Sequence, residues 1–255
     1  RLPRAAPPPV DFRSRLVMYI SFGRKTTGGY SVRVLAVRAR RRALVVRAQE
    51  LKPLPDDLER AQCQIATLLT EVEMIATDLP AKWLWRMNNQ FHEVKHFIAT
   101  QAIDEARHAE VFRKRALTTG WGLMRASLHN EHNLKFLRDA DSFAESSLTL
   151  HLQAEGMVLT LFRFSEYIAP TEADKKLFRL VMQDEARHVG YGMQHLKWVM
   201  DNAPDKREII HRHLDEAENF VFGAGYATEG LEPFIILAGK GLEKENIEQG
   251  VRITN

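Results

Sequence analysis

A pentapeptide that occurs twice constrains this chain more than any other feature of its sequence. Asp-Glu-Ala-Arg-His occupies residues 104–108 and again residues 184–188. Each copy contains a Glu-x-x-His pair, and on an α-helix two residues three apart project from the same face. A carboxylate and an imidazole on one face can grip a metal ion together. The repeat therefore predicts a fold that is built around two such pairs.

The periodicity of apolar residues after residue 55 predicts helices long enough to carry these pairs. Pro53 and Pro55 mark the boundary, and the first helix is predicted to start near Asp56 and to be kinked or ended by Pro80. Further helices are predicted at about 90–117, 142–169, 171–202, 205–222 and 231–249, with a turn at Asn88-Asn89 and a capping box at Ser142 and Glu145. The sequence therefore predicts a mainly α fold, a four-helix bundle with extra C-terminal helices.

The segment before the helices has a different composition. Residues 1–14 are Pro-rich and predict a tail, and strands are predicted at about 16–22, 31–37 and 43–46. Residues 1–57 carry 13 Lys and Arg against four Asp and Glu, although the whole chain has a net charge of only +3. Such a segment can bind nucleic acid or an acidic partner, but we expect a solvated Arg-rich surface and no nucleic-acid partner. We predict two domains, a tail with a small β segment at 1–55 and the helical bundle at 56–255.

Within the N-terminal segment, residues 22–32 read Phe-Gly-Arg-Lys-Thr-Thr-Gly-Gly-Tyr-Ser-Val. This stretch resembles the small β-domain found at the C-terminus of protease-complex-inhibitor-like bacterial proteins. The resemblance implies a small β fold for the segment and does not extend to the helical part.

The spacing of glutamates extends the two pairs to a larger site. A two-metal carboxylate site in a bundle needs one more carboxylate from each of the other two helices. Antiparallel neighbours meet at equal distances from their turn, so a glutamate is expected roughly 30 residues before each pair. Before Glu185 that residue is Glu155, in apolar surroundings where an acid needs a partner. Before Glu105 both Glu71 and Glu73 fit; we favour Glu73, which shares its face with uncharged residues, and keep Glu71 as the alternative.

The predicted ligand set has four carboxylates and two imidazoles: Glu73, Glu105, His108, Glu155, Glu185 and His188. Such oxygen and nitrogen donors suit iron or manganese better than zinc or copper. Four anionic ligands would neutralise two divalent cations, which makes burial of the site tolerable. The single cysteine, Cys63, excludes an internal disulfide and a thiolate cluster.

Two Glu-x-x-His pairs inside Asp-Glu-Ala-Arg-His, each with an upstream glutamate, resemble the ferritin-like carboxylate-bridged di-iron proteins. The pattern is closest to their oxygenase and ribonucleotide-reductase-small-subunit-like branch, and it covers about residues 58–202. The resemblance implies a cofactor of two Fe ions, with Mn/Fe as an alternative. It also implies an oxidoreductase that uses dioxygen and an external electron donor to hydroxylate, N-oxygenate or desaturate a small organic substrate.

The resemblance also implies roles for other residues of the two copies. The Asp before each ligand Glu is expected to hydrogen-bond a ligand His, with the Arg alongside it: Asp104, Arg107, Asp184 and Arg187. Where the reductase subunit carries a radical tyrosine, this chain has Phe112, so a reductase role is not expected.

Four further residues lie close to the predicted ligands in the sequence. His151, one turn before Glu155, is the best candidate among the remaining histidines for an outer contact to the ligands. Tyr191 lies either near the metals or in ordinary packing, and Gly190 and Gly192 either permit a close helix contact or leave room for a substrate.

Two other functions compete with the di-iron oxidoreductase. One is a ferroxidase or iron-handling ferritin-like protein without an organic substrate, and the other is a metal-free helical interaction module. No apolar run reaches the length of a membrane helix, so we expect no membrane partner. We further expect a cytoplasmic protein that forms a homodimer.

Overall fold

The chain divides into two compact units, Arg1–Pro53 and Leu54–Asn255. The computed structural model describes residues 31–40, 43–51, 54–119, 121–124, 135, 137–140, 142–223 and 228–255. The predicted tail at 1–14 and the predicted strand at 16–22 lie outside these ranges. Across the described ranges, no helix has both the length and the apolar character needed to cross a membrane.

The described part of the N-terminal unit is an antiparallel hairpin. Strand β1, Ser31–Arg40, pairs with strand β2, Ala43–Leu51. The register shifts by one residue between Val34 and Ala36, which is the mark of a β-bulge. Both strands are longer than the predicted 31–37 and 43–46, and they include arginines that the apolar pattern alone did not assign to strands.

The second unit is mainly helical. Its elements are α1 (Asp56–Leu84), α2 (His92–Leu117), α3 (Phe143–Leu148), α4 (Glu155–Ile168), α5 (Glu172–Asn202), α6 (Arg207–Gly223), α7 (Thr228–Gly239) and α8 (Lys244–Thr254). The chain continues from α3 to α4 without a break through Thr149–Ala154, which is π-helical and is called the π segment below.

Helices α1 and α2 form an antiparallel pair that packs along its length. Acidic residues in the first turn of α1 complement the helix dipole. Pro80 lies inside α1, which continues to Leu84, so the expectation that this proline could end the helix is wrong. The turn falls where the two asparagines predicted it: the side chain of Asn88 accepts a hydrogen bond from the backbone N–H of Gln90 and starts a short 3₁₀ turn.

The second pair consists of α3, the π segment and α4 packed against α5. Ser142 and Glu145 form the predicted capping box, with both reciprocal hydrogen bonds present. Thr171 caps α5 through the backbone N–H of Asp174. These caps fix where the helices of the second pair begin. They therefore also fix how far along each helix axis the acidic residues that follow are placed.

The C-terminal region differs from the prediction. A single helix at 231–249 was expected, but α7 ends at Gly239 and α8 starts at Lys244. Lys240 and Gly241 have φ of 66° and 152°, backbone conformations that favour glycine, and they reverse the chain. Helix α7 then packs against both α8 and α1.

The main core lies beside the candidate site. Phe112, Phe162 and Phe178 come from α2, α4 and α5 and are almost completely buried. Their ring centroids lie 5.8 to 6.0 Å apart, in tilted contacts. This aromatic cluster joins three helices that also carry predicted ligands.

Candidate metal centre

Six buried side chains from four helices converge on one place. Glu73 comes from α1, Glu105 and His108 from α2, Glu155 from α4, and Glu185 and His188 from α5. They form two overlapping groups of four, and within each group the potential ligand atoms lie within 4.8 Å of one another. One group contains Glu73 and His108, the other contains Glu155 and His188, and Glu105 and Glu185 belong to both.

The two Glu-x-x-His pairs face each other across the helices. His108 Nδ1 lies 3.2 Å from Glu105 Oε2 and 3.1 Å from Glu185 Oε1. His188 Nδ1 lies 3.2 Å from Glu185 Oε2 and 3.0 Å from Glu105 Oε1. Each imidazole therefore turns one nitrogen toward both shared carboxylates, and the two pentapeptides contribute in nearly equivalent ways.

The other nitrogen of each imidazole meets an aspartate from the opposite pentapeptide. His108 Nε2 lies 3.2 Å from Asp184 Oδ2, and His188 Nε2 lies 3.4 Å from Asp104 Oδ2. An acceptor at this position fixes the orientation of a ligating imidazole and selects which nitrogen faces the metal. The pairing is crosswise, because each aspartate contacts the histidine of the other copy.

Two arginines tie these aspartates together. Arg107 donates to Asp104 Oδ1 at 3.0 Å and also to Asp184. Arg187 donates to Asp104 Oδ2 at 2.9 Å and to Asp184 Oδ1 at 2.5 Å. The four residues assigned to an outer role from the sequence thus lie together, each arginine bridging both aspartates.

Burial and mutual contacts shift the pKa values of both histidines and of three glutamates of the site in the metal-free chain. Burial alone would lower the pKa of both histidines, but hydrogen bonds to the carboxylates outweigh it and raise the pKa of His108 to about 12 and of His188 to about 11. Burial raises the pKa of Glu73 and of Glu155 well above the usual range. For Glu105, burial acts in the same direction, but the two histidines outweigh it and lower its pKa. Because metal ligands must be deprotonated, a metal would compete with protons for these groups.

One buried oxygen supports the fit of a cation to this site. Glu155 Oε2 has no hydrogen-bond partner among the described residues, although the carboxylate is almost completely buried. A buried carboxylate oxygen without a partner is costly, and a metal ion is one of the few groups that removes that cost. The donor set also fits, because carboxylates and imidazoles suit iron and manganese.

A small cavity lies against the same carboxylates. It has a volume of about 30 Å³. Its lining combines the carboxylates of Glu73 and Glu155 with apolar side chains that include Val72, Leu150 and Val158. The space admits roughly two water-sized molecules, so the described residues leave room for a diatomic gas beside the carboxylates.

The two glutamates that were hard to separate by spacing occupy different places. Glu73 is buried, and its Oε2 lies 3.6 Å from His108 Nδ1. Glu71 is half-buried and belongs to neither group of four. The structure therefore brings Glu73, rather than Glu71, to the predicted ligands.

Two further expectations concerned the surroundings of the ligands. Phe112 lies in the aromatic core and has no hydroxyl group that a radical could occupy. Tyr191 stacks on Phe97 with ring centroids 4.2 Å apart, and its hydroxyl is buried without a hydrogen-bond partner among the described residues. Gly192 permits a close contact with His151, whereas a Cβ at Gly190 would meet nothing.

Sequence reasoning did not find three residues that reach the ligands or support those that do. Gln101, Ser147 and His195 connect to His151 in one hydrogen-bonded chain that ends on two of the carboxylates. Gln101 could have been found, because it lies four residues before Glu105 and therefore on the ligand face of α2. Ser147 and His195 gave no such signal, since their meeting depends on how α3 packs against α5.

Comparisons with known proteins concern the N-terminal segment alone. A family model described as PrcB C-terminal matches residues 16–60, in agreement with the resemblance seen in residues 22–32. No curated protein matches the chain, and no solved structure matches it. The family match ends before the first of the six converging side chains, Glu73.

Proposed function

We propose that this chain is a di-iron carboxylate oxidoreductase, with Mn/Fe as the alternative metal pair, that activates dioxygen. One observation carries the proposal: six buried side chains form two overlapping groups of four potential ligands, with Glu105 and Glu185 common to both. Two shared carboxylates between two ligand groups are what a pair of adjacent metal ions requires. One ion would be held by Glu73 and His108, the other by Glu155 and His188.

The proposed fold is the ferritin-like four-helix bundle. Its four helices would be α1, α2, the continuous run from α3 through α4, and α5, with α6 to α8 as additions. Two of these helices contribute a single glutamate and two contribute a Glu-x-x-His pair, which is the ligand distribution of di-iron bundles. The ligand distribution supports this assignment.

Charge balance favours a pair of divalent ions. The protons that the metal-free site holds on its histidines and on Glu73 and Glu155 would be replaced by cations. Four carboxylates then neutralise two divalent ions, and the buried site carries no net charge. When bound, the iron pair supplies the electrons that reduce dioxygen, and an external donor restores them.

The protein itself contributes geometry and exclusion of water. Asp104 and Asp184 hold the imidazoles from outside, so that Nδ1 of each ring faces the carboxylates. Phe112 and its aromatic partners form a dry wall next to the ligands. A preorganised site of low dielectric constant strengthens electrostatic interactions with developing charge. We propose that the reaction oxidises a small organic substrate, by hydroxylation, N-oxygenation or desaturation.

A ferroxidase is the second candidate, and the size of the cavity favours it. A space of about 30 Å³ beside the carboxylates suits dioxygen. Metal handling would need only Fe²⁺ and dioxygen as substrates. The two functions separate in a simple assay, since a ferroxidase oxidises a large excess of Fe²⁺ without an added electron donor.

The metal content of matched variants tests the proposed site. Wild-type chain reconstituted with Fe²⁺ without oxygen should bind about two ions per chain. Glu105→Ala and Glu185→Ala should each lose both ions, because these carboxylates belong to both groups. Glu73→Ala and Glu155→Ala should each weaken chiefly one ion, because each belongs to a single group. Elemental analysis and calorimetric titration measure both outcomes.

Two outcomes of these measurements would contradict the proposal. A folded wild-type chain that binds no iron or manganese would exclude the metal centre. Retention of both ions in Glu105→Ala or in Glu185→Ala would show that the ligands are misassigned. Dioxygen uptake by the iron-loaded chain, followed with an oxygen electrode, then distinguishes an oxidoreductase from a protein that only stores metal.

A further inference from the structure

A buried glutamine connects two of the carboxylates. Gln101 lies on α2 one turn before Glu105, and its side chain is completely buried. Its amide Nε2 donates to Glu155 Oε1 at 2.9 Å and to Glu105 Oε1 at 3.3 Å. Gln101 therefore joins acids from two helices, and its stronger hydrogen bond goes to Glu155. That bond leaves Glu155 Oε2, which has no partner among the described residues, as the oxygen available to a cation.

His151 sets the orientation of the Gln101 amide. Gln101 Oε1 lies 2.8 Å from His151 Nε2, and a carbonyl oxygen can only accept, so His151 must carry its proton on Nε2. Burial and the neighbouring imidazoles of His188 and His195 lower the pKa of His151 to about 3, which keeps the ring neutral. A reversed amide would turn its oxygen toward the carboxylates, which offer no proton in their charged form.

The chain of hydrogen bonds continues to α5. His151 Nδ1 lies 2.9 Å from Ser147 Oγ, and Ser147 Oγ lies 2.9 Å from His195 Nδ1. A neutral His151 with its proton on Nε2 accepts from the serine hydroxyl, and the serine then accepts from His195. Gln101, His151 and Ser147 thus each donate and accept, His195 is the terminal donor, and the orientation of Gln101 is specified.

The backbone around His151 is also fixed. His151 lies in the π segment, an irregular helical form that is common at functional sites. Thr149 and Gln153 of this segment bond to α6, at His213 Nε2 (2.7 Å) and at the carbonyl of Leu214 (2.6 Å). On the other side Gly192 leaves no gap, since a Cβ there would lie 2.5 Å from His151 Cβ.

Among the described residues, this polar support exists on one side of the site only. The residue four positions before Glu185, equivalent to Gln101 before Glu105, is Val181. The residue four positions before Glu73, equivalent to His151 before Glu155, is Leu69. Both are apolar and buried, so they donate no hydrogen bond to a carboxylate. The two pentapeptides make the two halves of the site nearly equivalent. The halves differ in the residues that lie one helical turn before the glutamates.

We propose that Gln101 is a positioning residue for Glu155, that His151 acts through it, and that the two metal positions are therefore inequivalent. This inference rests on the proposed di-metal function. The position bounded by Glu155 and His188 depends on the glutamine through both Glu155 and Glu105, whereas the position bounded by Glu73 and His108 depends on it only through the longer contact to the shared Glu105. The two ions consequently bind with different affinities and in different geometries.

Cobalt titration tests the proposal without measuring activity. Co²⁺ added to the metal-free wild-type chain under nitrogen should bind in two steps, each with its own visible absorption spectrum. Gln101→Met removes the amide and nearly keeps the volume, and it should weaken one step about 10- to 100-fold and the other step by less. Gln101→Asn keeps the amide but shortens it, and it should weaken the same step. Val181→Ala, at the equivalent place in the other half, should leave the Gln101-dependent step and its spectrum unchanged.

A double variant tests whether His151 acts through Gln101. His151→Leu should weaken the same cobalt step, and His151→Leu with Gln101→Met should be no weaker than Gln101→Met alone. The inference is overturned if wild type binds both ions identically, or if Gln101→Met and Gln101→Asn change both steps equally or neither. It is also overturned if the effects of His151→Leu and Gln101→Met add. A wild-type chain that binds no Co²⁺ would overturn the proposed function as well, so the two failures are distinguishable.

Discussion

Arg115 joins three helices at a place that holds no predicted ligand. It donates to both oxygens of Glu59 on α1, at 2.6 and 3.0 Å, and to Asp174 on α5 at 2.5 Å. Thr119 donates to Glu59 as well, at 2.9 Å. Burial by itself raises the pKa of Glu59, but the hydrogen bonds and the charge of Arg115 outweigh it and hold that pKa below its usual range.

This pKa shift predicts how stability depends on pH. Because the pKa of Glu59 is lower in the folded chain, its contribution is present above the unfolded value of 4.5 and is lost as pH falls through the folded value. Arg115→Met should lower the free energy of unfolding by about 3–5 kcal/mol at pH 7. The difference from wild type should shrink below pH 4.5. Urea unfolding at a series of pH values measures it.

The matched control for this prediction is an exposed ion pair on the same helix. Arg113 donates to Glu110 at 3.0 Å, with both side chains in solvent. Arg113→Met should leave stability almost unchanged, since exposed pairs contribute little. An equal effect of the Arg113 and Arg115 substitutions, or a difference from wild type that does not vary with pH, would contradict the role given to the buried pair.

Single residues of the site differ in how far the sequence predicted them. Glu155 followed from its spacing and its apolar neighbours, because both features are local. The crosswise contact of Asp104 with His188 did not, because it depends on how α2 and α5 approach each other. Gln101 carries no charge and repeats no motif; its spacing places it on the face of Glu105, but its contact with Glu155 depends on how the helices pack.

At the scale of elements, the contact between the π segment and α5 depends on one glycine. Gly192 is buried against His151, while Gly190, two residues earlier on the same helix, faces open space. The two glycines cost the helix a similar amount in backbone freedom, so their substitution by alanine isolates the effect of packing.

The two alanine substitutions should have opposite effects on stability. Gly190→Ala should raise the free energy of unfolding by about 1 kcal/mol, because alanine favours the helix and meets nothing there. Gly192→Ala should lower it by about 1–3 kcal/mol, because the new methyl group overlaps His151. Thermal unfolding of the metal-free variants checks both. Equal stabilisation by both alanines would show that the segment does not pack closely on α5.

Helix positions were largely predictable because caps and apolar periodicity depend on residues that are close together in the sequence. The capping box at Ser142 placed the start of α3 correctly. The π segment and the reversal at Lys240 were not predicted, for a shared reason. Both are local departures from a regular helix that tertiary contacts stabilise, and an apolar period of 3.6 does not register them.

At the scale of the whole molecule, every residue of the candidate site belongs to one of the two compact units. The six converging side chains and their outer contacts all lie between Leu54 and Asn255. The N-terminal unit, which matches the PrcB C-terminal family model over most of its length, contributes none of them. The described residues of the site are therefore separate from the described residues of the N-terminal unit.

Removal of the N-terminal unit tests this separation. A chain that begins at Leu54 should bind the same number of metal ions per chain as the full chain, and its unfolding midpoint should be unchanged. Calorimetric titration with Fe²⁺ under nitrogen and thermal unfolding measure the two properties. Loss of metal binding in the shortened chain would show that residues 1–53 support the site.

The crosswise contacts between the pentapeptides have a consequence for how such a chain can change over time. Each copy supplies the aspartate that orients the histidine of the other, so neither copy by itself contains a histidine together with its acceptor. A fragment that ends after α2 would contain His108 without Asp184, its acceptor. A fragment that begins at α3 would contain His188 without Asp104. The two copies are interlocked, because replacing the aspartate of one copy removes the contact to the histidine of the other.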